Sequence, residues 1–204
     1  MENIIVGITG ASGVVYAQRL LQFLGRREYN IHVSMSDAAI LVIKYELGIV
    51  LNHTKPNLAD FLGFTTDNVI YYNNSDIGAT IASSRHPVKA MVIVPCTMNT
   101  LCSIAHGISN NLIQRAASVT LKEGRRLVVV PREMPLSSIH LEAMLKLSSA
   151  GASILPAMPG FYHHPKTLAD QVDFVVAKIL DALSIQHTLV PEWHGEEILN
   201  IQDL

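Results

Sequence analysis

The chain alternates short apolar runs with longer stretches in which apolar residues recur every three or four positions. The short runs are typical of strands buried on both faces, whereas the longer spacing is typical of amphipathic helices. The predicted strands cover residues 4–9, 31–35, 91–95, 127–131 and 153–155. The predicted helices cover residues 14–25, 37–47, 110–122, 139–150 and 167–183.

Strands that alternate with helices form βαβ units, which build a parallel sheet with helices on both faces. Such sheets bind ligands in the crevice beyond the carboxyl ends of their strands. The pattern is interrupted at residues 52–80, which are polar and irregular apart from a short apolar run at residues 69–72. We expect this segment to be a mobile cover or a subunit contact.

The chain has 204 residues, of which 49% are apolar, and this length allows one domain with a substantial core. We place that domain at residues 1–185 and a C-terminal arm at residues 186–204. No run approaches the ~18 apolar residues of a membrane helix, so the apolar excess indicates buried strands and a large subunit interface. The formal charge of -2 argues against a nucleic-acid surface, and the lack of a secretory leader predicts a cytoplasmic protein.

The side chains that commonly bind metals are dispersed along the chain. Cys96 and Cys102 lie six positions apart, which fits neither a disulfide framework nor a Cys-x-x-Cys site, so we expect buried, reduced thiols. His163 and His164 are adjacent and lack a partner at metal-site spacing. The sequence therefore predicts no metal centre.

The first candidate for chemistry is the turn Gly10-Ala11-Ser12-Gly13, directly after the first predicted strand. Small residues let a phosphate approach the backbone, and the N-terminus of the following helix favours negative charge. The spacing matches neither G-x-G-x-x-G nor a Walker loop. The turn therefore indicates a flavin or nucleotide phosphate, unless it merely connects the strand to the helix.

Two further segments carry polar side chains in the middle of the chain. Residues 97–100 follow the strand at 91–95, where they either contact a ring edge or a phosphate or simply cap a helix. Arg115 and Lys122 lie seven positions apart, two turns along one helix face. They either hold an anion in a cleft or form a solvated surface.

Two candidates follow the last two predicted strands. Arg132 and Glu133 lie between Pro131 and Pro135, at a catalytic position in open sheets. The Glu133 carboxylate either acts as an acid or base or forms a structural ion pair with Arg132. Tyr162 lies in an aromatic loop that either lines an apolar pocket, with its hydroxyl reaching a phosphate, or packs as an ordinary loop.

Several stretches resemble the flavin prenyltransferases, the UbiX-like family that makes prenyl-FMN for UbiD-like decarboxylases. The most specific are TGASG at residues 9–13, NNLIQRAA at 110–117 and the segment 127–165, in particular VPREMPLSSIHL at 130–141. The resemblance extends from residue 4 to about residue 185. It implies a flavodoxin-like, Rossmann-like three-layer α/β sandwich with a mainly parallel sheet, and a dodecameric homo-oligomer.

The resemblance also implies a reaction, in which a dimethylallyl group leaves dimethylallyl phosphate and becomes bonded to N5 and C6 of reduced FMN without a metal ion. The implied catalytic residues are Ser12, Glu46 and Glu133. The implied FMN-binding residues are Gly10, Ala11, Ser12, Ser36, Thr97, Met98, Asn99, Thr100 and Arg115. The positions that match those around the allylic phosphate are Lys122, Arg132, Tyr162 and Lys178.

Two other functions stay open. A flavin-dependent cysteine decarboxylase shares the fold, and residues 95–100 resemble its Pro-x-x-x-Asn-Thr pattern, but residues 37–47 contain Glu46 and lack the histidine that this family uses. A non-catalytic FMN carrier has no need for a phosphate site. The chain departs from the prenyltransferase pattern at Ala82-Ser83-Ser84-Arg85, so donor type and prenyl chain length stay open.

Overall fold

Six parallel strands form the central sheet of the computed structural model, which describes residues 1–191. In chain order the strands are β1 (Glu2–Ile8), β2 (Tyr29–Met35), β3 (Val69–Asn73), β4 (Ala90–Cys96), β5 (Arg126–Pro131) and β6 (Ser153–Ile154). Their order in the sheet is β3-β2-β1-β4-β5-β6. Without the edge strand β3, this is the order of a flavodoxin sheet. The predicted α/β class with a parallel sheet is therefore confirmed.

Helices connect the strands. They are α1 (Val14–Leu24), α2 (Asp37–Leu47), α3 (Leu58–Leu62), α4 (Met98–Ala105), α5 (Leu112–Lys122), α6 (Ser138–Ser149) and α7 (Leu168–Ala182), with a 3-10 helix at Thr80–Ala82. Local sequence sets many of their ends. The Ser36 hydroxyl accepts a hydrogen bond from the Ala39 N–H at the start of α2, and Gly48 ends that helix with a φ of 70°. None of the described helices is long and apolar enough to cross a bilayer.

Each face of the sheet has its own apolar core, because successive strand residues point to opposite faces. Ile4, Val6 and Ile8 of β1 belong to the core that includes α1 and α7, whereas Ile5 belongs to the core that includes α4, α5 and α6. The β1 segment is therefore buried on both sides, as its uninterrupted apolar sequence predicts. The sheet and the helical layer on each of its faces together position the loops at the carboxyl ends of the strands.

Residues 52–80 are more regular than the sequence-based expectation. They contain α3 and β3, and β3 pairs in parallel with β2 from Val69, opposite Ile31, to Asn73, opposite Met35. A run of five residues is too short for periodicity to separate a strand from a loop, and pairing with β2 decides the outcome. The helix after β4 is also divided into α4 and α5, whereas the sequence predicted only the second. The proposed C-terminal arm lies outside the described residues from residue 192 onward.

Candidate functional site

The carboxyl ends of β1 and β4 lie side by side, and the helices that follow them, α1 and α4, pack on opposite faces of the sheet. This is the topological switch point at which open α/β sheets bind ligands. We call the space bordered by residues 9–13, 36, 97–100 and 132 the switch-point crevice. Ser12 and Asn99 are exposed there, whereas Ala11, Met98 and Thr100 are buried.

Thr9 joins the two loops of the switch-point crevice. Its hydroxyl donates to the Pro95 carbonyl at 2.9 Å and accepts from the Thr97 N–H at 2.8 Å, and the side chain is buried. The Thr97 N–H lies just beyond β4, and Pro95 lies in the part of β4 where the pairing with β5 is irregular, so the Thr9 hydroxyl supplies a partner at a point where the regular ladder ends. The sequence patterns predicted no functional role for Thr9. The available signal was a threonine directly after a buried strand, where a hydroxyl can satisfy backbone groups of a neighbouring loop.

Glu46 lies at the N-terminus of α1, although it belongs to the end of α2. Its carboxylate accepts hydrogen bonds from the Gly13 N–H at 2.9 Å and the Val14 N–H at 3.2 Å. The negative charge favoured at this helix start is therefore supplied by the protein itself. The turn at Gly10–Gly13 therefore places backbone N–H groups against a carboxylate of the same chain, whereas the sequence pattern indicated a phosphate there. The carboxylate also contributes, after burial, to the raised pKa of Tyr16.

Gly10 is required by the approach of α2. A Cβ atom at Gly10 would lie 2.3 Å from the Cβ of Ala38, which no packing adjustment of side chains can relieve. Gly13 has a φ of 101°, in the region that favours glycine, and serves as the N-cap of α1. The small residues of this turn therefore allow α2 to bring Glu46 to the start of α1.

Two hydroxyls of the crevice, those of Ser36 and Thr97, also serve as helix caps. The Thr97 hydroxyl accepts from the Thr100 N–H at 3.3 Å and donates to the Thr100 hydroxyl at 3.0 Å. Capping therefore explains part of this segment, as the alternative interpretation predicted. The hydroxyls and the exposed Asn99 amide thus bring hydrogen-bonding groups to the crevice, whereas Arg115 of α5 is exposed and is not among the residues that border it.

Arg132 and Glu133 follow β5 at the edge of the crevice. The Nε of Arg132 donates to the Ser12 carbonyl at 3.3 Å, which is its one side-chain hydrogen bond to residues 1–191. Glu133 accepts from the Met134 N–H at 3.2 Å, and none of the described ion pairs joins it to Arg132. Both side chains are exposed. The structural ion pair considered from the sequence is therefore not formed.

Lys122 lies at the other end of the sheet. It ends α5, four residues before the start of β5, whereas Arg132 directly follows the end of β5. A strand of this length separates the two ends by roughly 17 Å. Lys122 is exposed and forms an ion pair with Glu123 at 2.8 Å. One chain does not bring Lys122 to the crevice.

Tyr162 and Lys178 lie together in a separate place. Both line a cavity of about 1270 Å³ along α7, which we call the α7 cavity. Its wall also includes Arg27, Phe174 and Asp181 and contains none of the crevice residues. The structure thus distributes the predicted phosphate-binding residues over three locations: the crevice, the end of α5 and the α7 cavity.

The structure describes both thiols and the side chains that commonly bind metals. Cys96 and Cys102 are both free, and burial raises the pKa of each thiol. Cys96 is buried, as expected, whereas Cys102 is only partly buried. Within residues 1–191, no group of three histidine, cysteine, aspartate or glutamate side chains is arranged to hold a metal ion.

The chain is similar to proteins of known family. It matches the family model described as Flavoprotein over residues 1–192. It is 49% identical to the Flavin prenyltransferase UbiX of Alkalihalophilus pseudofirmus, over 92% of this chain and 94% of that protein. The crystal structure of AnUbiX (PadA1) in complex with FMN and dimethylallyl pyrophosphate has a TM-score of 0.85 and 36% identity, covering 96% of this chain and 99% of that one. A dodecameric FMN-dependent UbiX-like decarboxylase from Escherichia coli O157:H7 has a TM-score of 0.83 and 41% identity, covering 95% of this chain and 100% of that one.

Proposed function

Because this chain belongs to the flavin prenyltransferase family, we propose that it joins the dimethylallyl group of dimethylallyl phosphate to N5 and C6 of reduced FMN. The observation that carries the proposal is the position of Arg132 beside Ser12 at the switch point, where its terminal nitrogens donate to none of residues 1–191. A carrier of FMN has no need for such a group. The cysteine decarboxylases rely on a histidine in the helix after the second strand. Residues 37–47 of this chain contain Glu46 and no histidine, which also favours prenyl transfer.

The proposed FMN site is the switch-point crevice, with Gly10, Ala11, Ser12, Ser36, Thr97, Met98, Asn99, Thr100 and Arg115 as the binding residues. Reduced FMN supplies the two atoms to which the prenyl group becomes bonded. Met98 and Ala11 provide apolar surface, and the hydroxyls and the Asn99 amide provide hydrogen bonds to polar atoms of a ring. Arg115 provides the positive charge that a phosphate requires.

The proposed chemistry depends on stabilising a leaving phosphate. Negative charge grows on the phosphate as its bond to the prenyl carbon breaks, and Arg132 is positioned to stabilise that charge by charge-assisted hydrogen bonds. We propose Ser12 and Glu133 as the groups for proton transfer, with Glu46 as the third catalytic residue. We propose that no metal ion takes part, and activity that persists in excess EDTA is the expected result.

A homo-oligomer completes this proposal, since one chain leaves Lys122 at the opposite end of the sheet from Arg132. We propose that Lys122, Tyr162 and Lys178 contact the allylic phosphate in a dodecamer, where ends of different chains meet. A dodecameric relative 41% identical to this chain supports the assembly. Co-expression of inactive Lys122→Ala and Arg132→Ala chains tests the idea, because mixed assemblies should regain part of the activity if different copies share one site. No regained activity in verified mixed dodecamers contradicts it.

The function itself is tested by anaerobic incubation of the purified protein with reduced FMN and dimethylallyl phosphate, followed by mass spectrometry of the extracted flavin. The expected product carries one additional C5 unit. A parallel reaction with the diphosphate identifies the donor, since a relative is described in complex with dimethylallyl pyrophosphate. Bound but unchanged flavin with both donors would indicate a carrier. We further propose a UbiD-like decarboxylase in the cytoplasm as the recipient of the product.

A further inference from the structure

Phe174 of α7 lies next to both residues of the α7 cavity that the proposed function assigns to the phosphate. Its ring centroid is 5.6 Å from that of Tyr162, at an interplanar angle of 79°, which is an edge-to-face contact. The Nζ of Lys178 is 5.9 Å from the same ring. Phe174 itself is 8% exposed, so most of its surface is used in packing.

The backbone and the neighbouring loop fix this arrangement. Phe174 and Lys178 are four positions apart on α7 and therefore share one helix face. His163 stacks on Phe174 with centroids 4.8 Å apart and an interplanar angle of 17°. A Cβ atom at Gly160 would lie 3.0 Å from the Cζ of Phe174, so the loop backbone itself approaches the ring closely. The loop at residues 160–163 is thus held against Phe174 from several directions.

We propose that Phe174 is a positioning residue that sets the Tyr162 hydroxyl and the Lys178 ammonium for one anionic group, the phosphate of the prenyl donor. The inference rests on the proposed function and deepens it. Phe174 does not touch the reacting atoms. It acts by holding the hydrogen-bond donor of a loop residue and the cation of a long side chain against one rigid aromatic surface.

The charge of the cavity is compatible with this role. Arg27 and Lys178 contribute two positive charges to its wall, and Asp181 contributes one carboxylate. The Lys178 Nζ lies 3.4 Å from that carboxylate, at an exposed position where such a pair adds little stability. Lys178 can therefore exchange this contact for a phosphate without a large cost, provided that its stem stays against Phe174.

The test compares Phe174→Leu with Phe61→Leu, which removes another buried phenylalanine of the same apolar core far from the Tyr162 loop in sequence. Steady-state prenylation gives kcat and the KM for dimethylallyl phosphate. Calorimetry gives the affinity of the flavin-free protein for dimethylallyl phosphate, and size-exclusion chromatography verifies assembly. Phe174→Met, which also lacks a ring but has a flexible side chain that adapts to irregular space, replaces the leucine variant if that one fails to fold.

We expect Phe174→Leu to raise the KM and weaken binding by about five- to tenfold, the scale of one or two lost aromatic contacts, with kcat and FMN affinity unchanged. Phe61→Leu should lower the melting temperature and leave the KM unchanged. Equal KM values for the two variants would overturn the proposal, because Phe174 would then be an ordinary core residue. If wild-type protein transfers no prenyl group, the proposed function fails separately, and the calorimetric comparison still decides the role of Phe174.

Discussion

Arginines at the two ends of β5 show how different the ends of this sheet are. At the amino end, Arg125 donates to the Ser84 carbonyl at 2.7 Å and to the His86 carbonyl at 2.8 Å. Arg126 donates to the Ala182 carbonyl and to the Ser184 hydroxyl. At the carboxyl end, Arg132 makes one side-chain bond among the described residues, a long one of 3.3 Å to the Ser12 carbonyl.

The difference separates structural cations from a functional candidate. A guanidinium has five N–H donors, and Arg125 directs its two terminal nitrogens to the carbonyls of Ser84 and His86. Arg132 is exposed and keeps its terminal nitrogens available for an anion. Among residues 1–191, the arginine at the carboxyl end thus keeps unused donors, whereas the arginines at the amino end hold the chain together. Four predictions test this contrast.

The largest effect is expected from Arg132→Ala. Removing a preorganised cation from a developing phosphate charge should lower prenyl transfer about 100- to 1000-fold. The free energy of unfolding should change by less than about 1 kcal/mol, since an exposed side chain with one long hydrogen bond is lost. Single-turnover mass spectrometry and urea unfolding measure the two quantities. The exposed Arg26 provides a control, and an equal activity loss in Arg26→Ala would contradict the assignment.

Arg125→Ala should give the converse result. Two charge-assisted hydrogen bonds to Ser84 and His86 are lost, so the free energy of unfolding should fall by about 2–3 kcal/mol. Urea unfolding of Arg125→Ala beside Arg132→Ala makes the measurement. If the two variants lose equal stability, the distinction between the two ends of β5 is wrong.

Glu46→Ala sharpens the picture of the carboxyl end. The N–H groups of Gly13 and Val14 lose their acceptor, and the start of α1 loses a favourable carboxylate. The expected loss of stability is about 1–2 kcal/mol, the scale of an N-cap deletion. Glu142→Ala, at an exposed position of α6, serves as the matched control and should be close to wild type. An undiminished unfolding free energy in Glu46→Ala would show that the contact is not used in solution.

The smallest effect concerns pH and the buried His32, which contacts Tyr72, Asn3 and His86. Burial, and secondarily His86, lower the pKa of His32 to about 4. Desolvation and the nearby Arg125 also lower the pKa of His86. Between the ordinary value of 6.5 and about 4, the unfolded chain binds more protons at His32 than the folded one, so stability should fall as the pH falls through this window.

The measurement is the unfolding free energy at pH 7 and pH 5. Wild type should lose about 1 kcal/mol more than His32→Gln over this interval, because the variant lacks the titrating ring. The same substitution at the exposed His53 serves as the matched control, and an equal change in pH dependence there would argue against the assignment to His32. An identical pH dependence in wild type and His32→Gln would exclude His32 as the group responsible.

Much of the fold follows from the sequence because its signals are local. The apolar run around Ile4–Ile8 has to be buried on both faces, and Ser36 and Gly48 mark the two ends of α2 within one turn of the helix. The specific stretches at residues 9–13, 110–117 and 130–141 identify the family by their order. Strand β3 escaped prediction because only pairing with β2 distinguishes it from a loop.

The sequence by itself therefore determined the class of fold, the family and the set of residues with suitable chemistry. Only the tertiary structure decided which of them meet. Glu46 reaches Gly13 across 33 positions of the chain because α2 packs closely over Gly10. Lys122 and Arg132 are only ten positions apart, yet β5 carries them to opposite ends of the sheet. Local patterns encode helices and strands, whereas the spacing of functional groups depends on how rigid elements pack, which no short stretch of sequence contains.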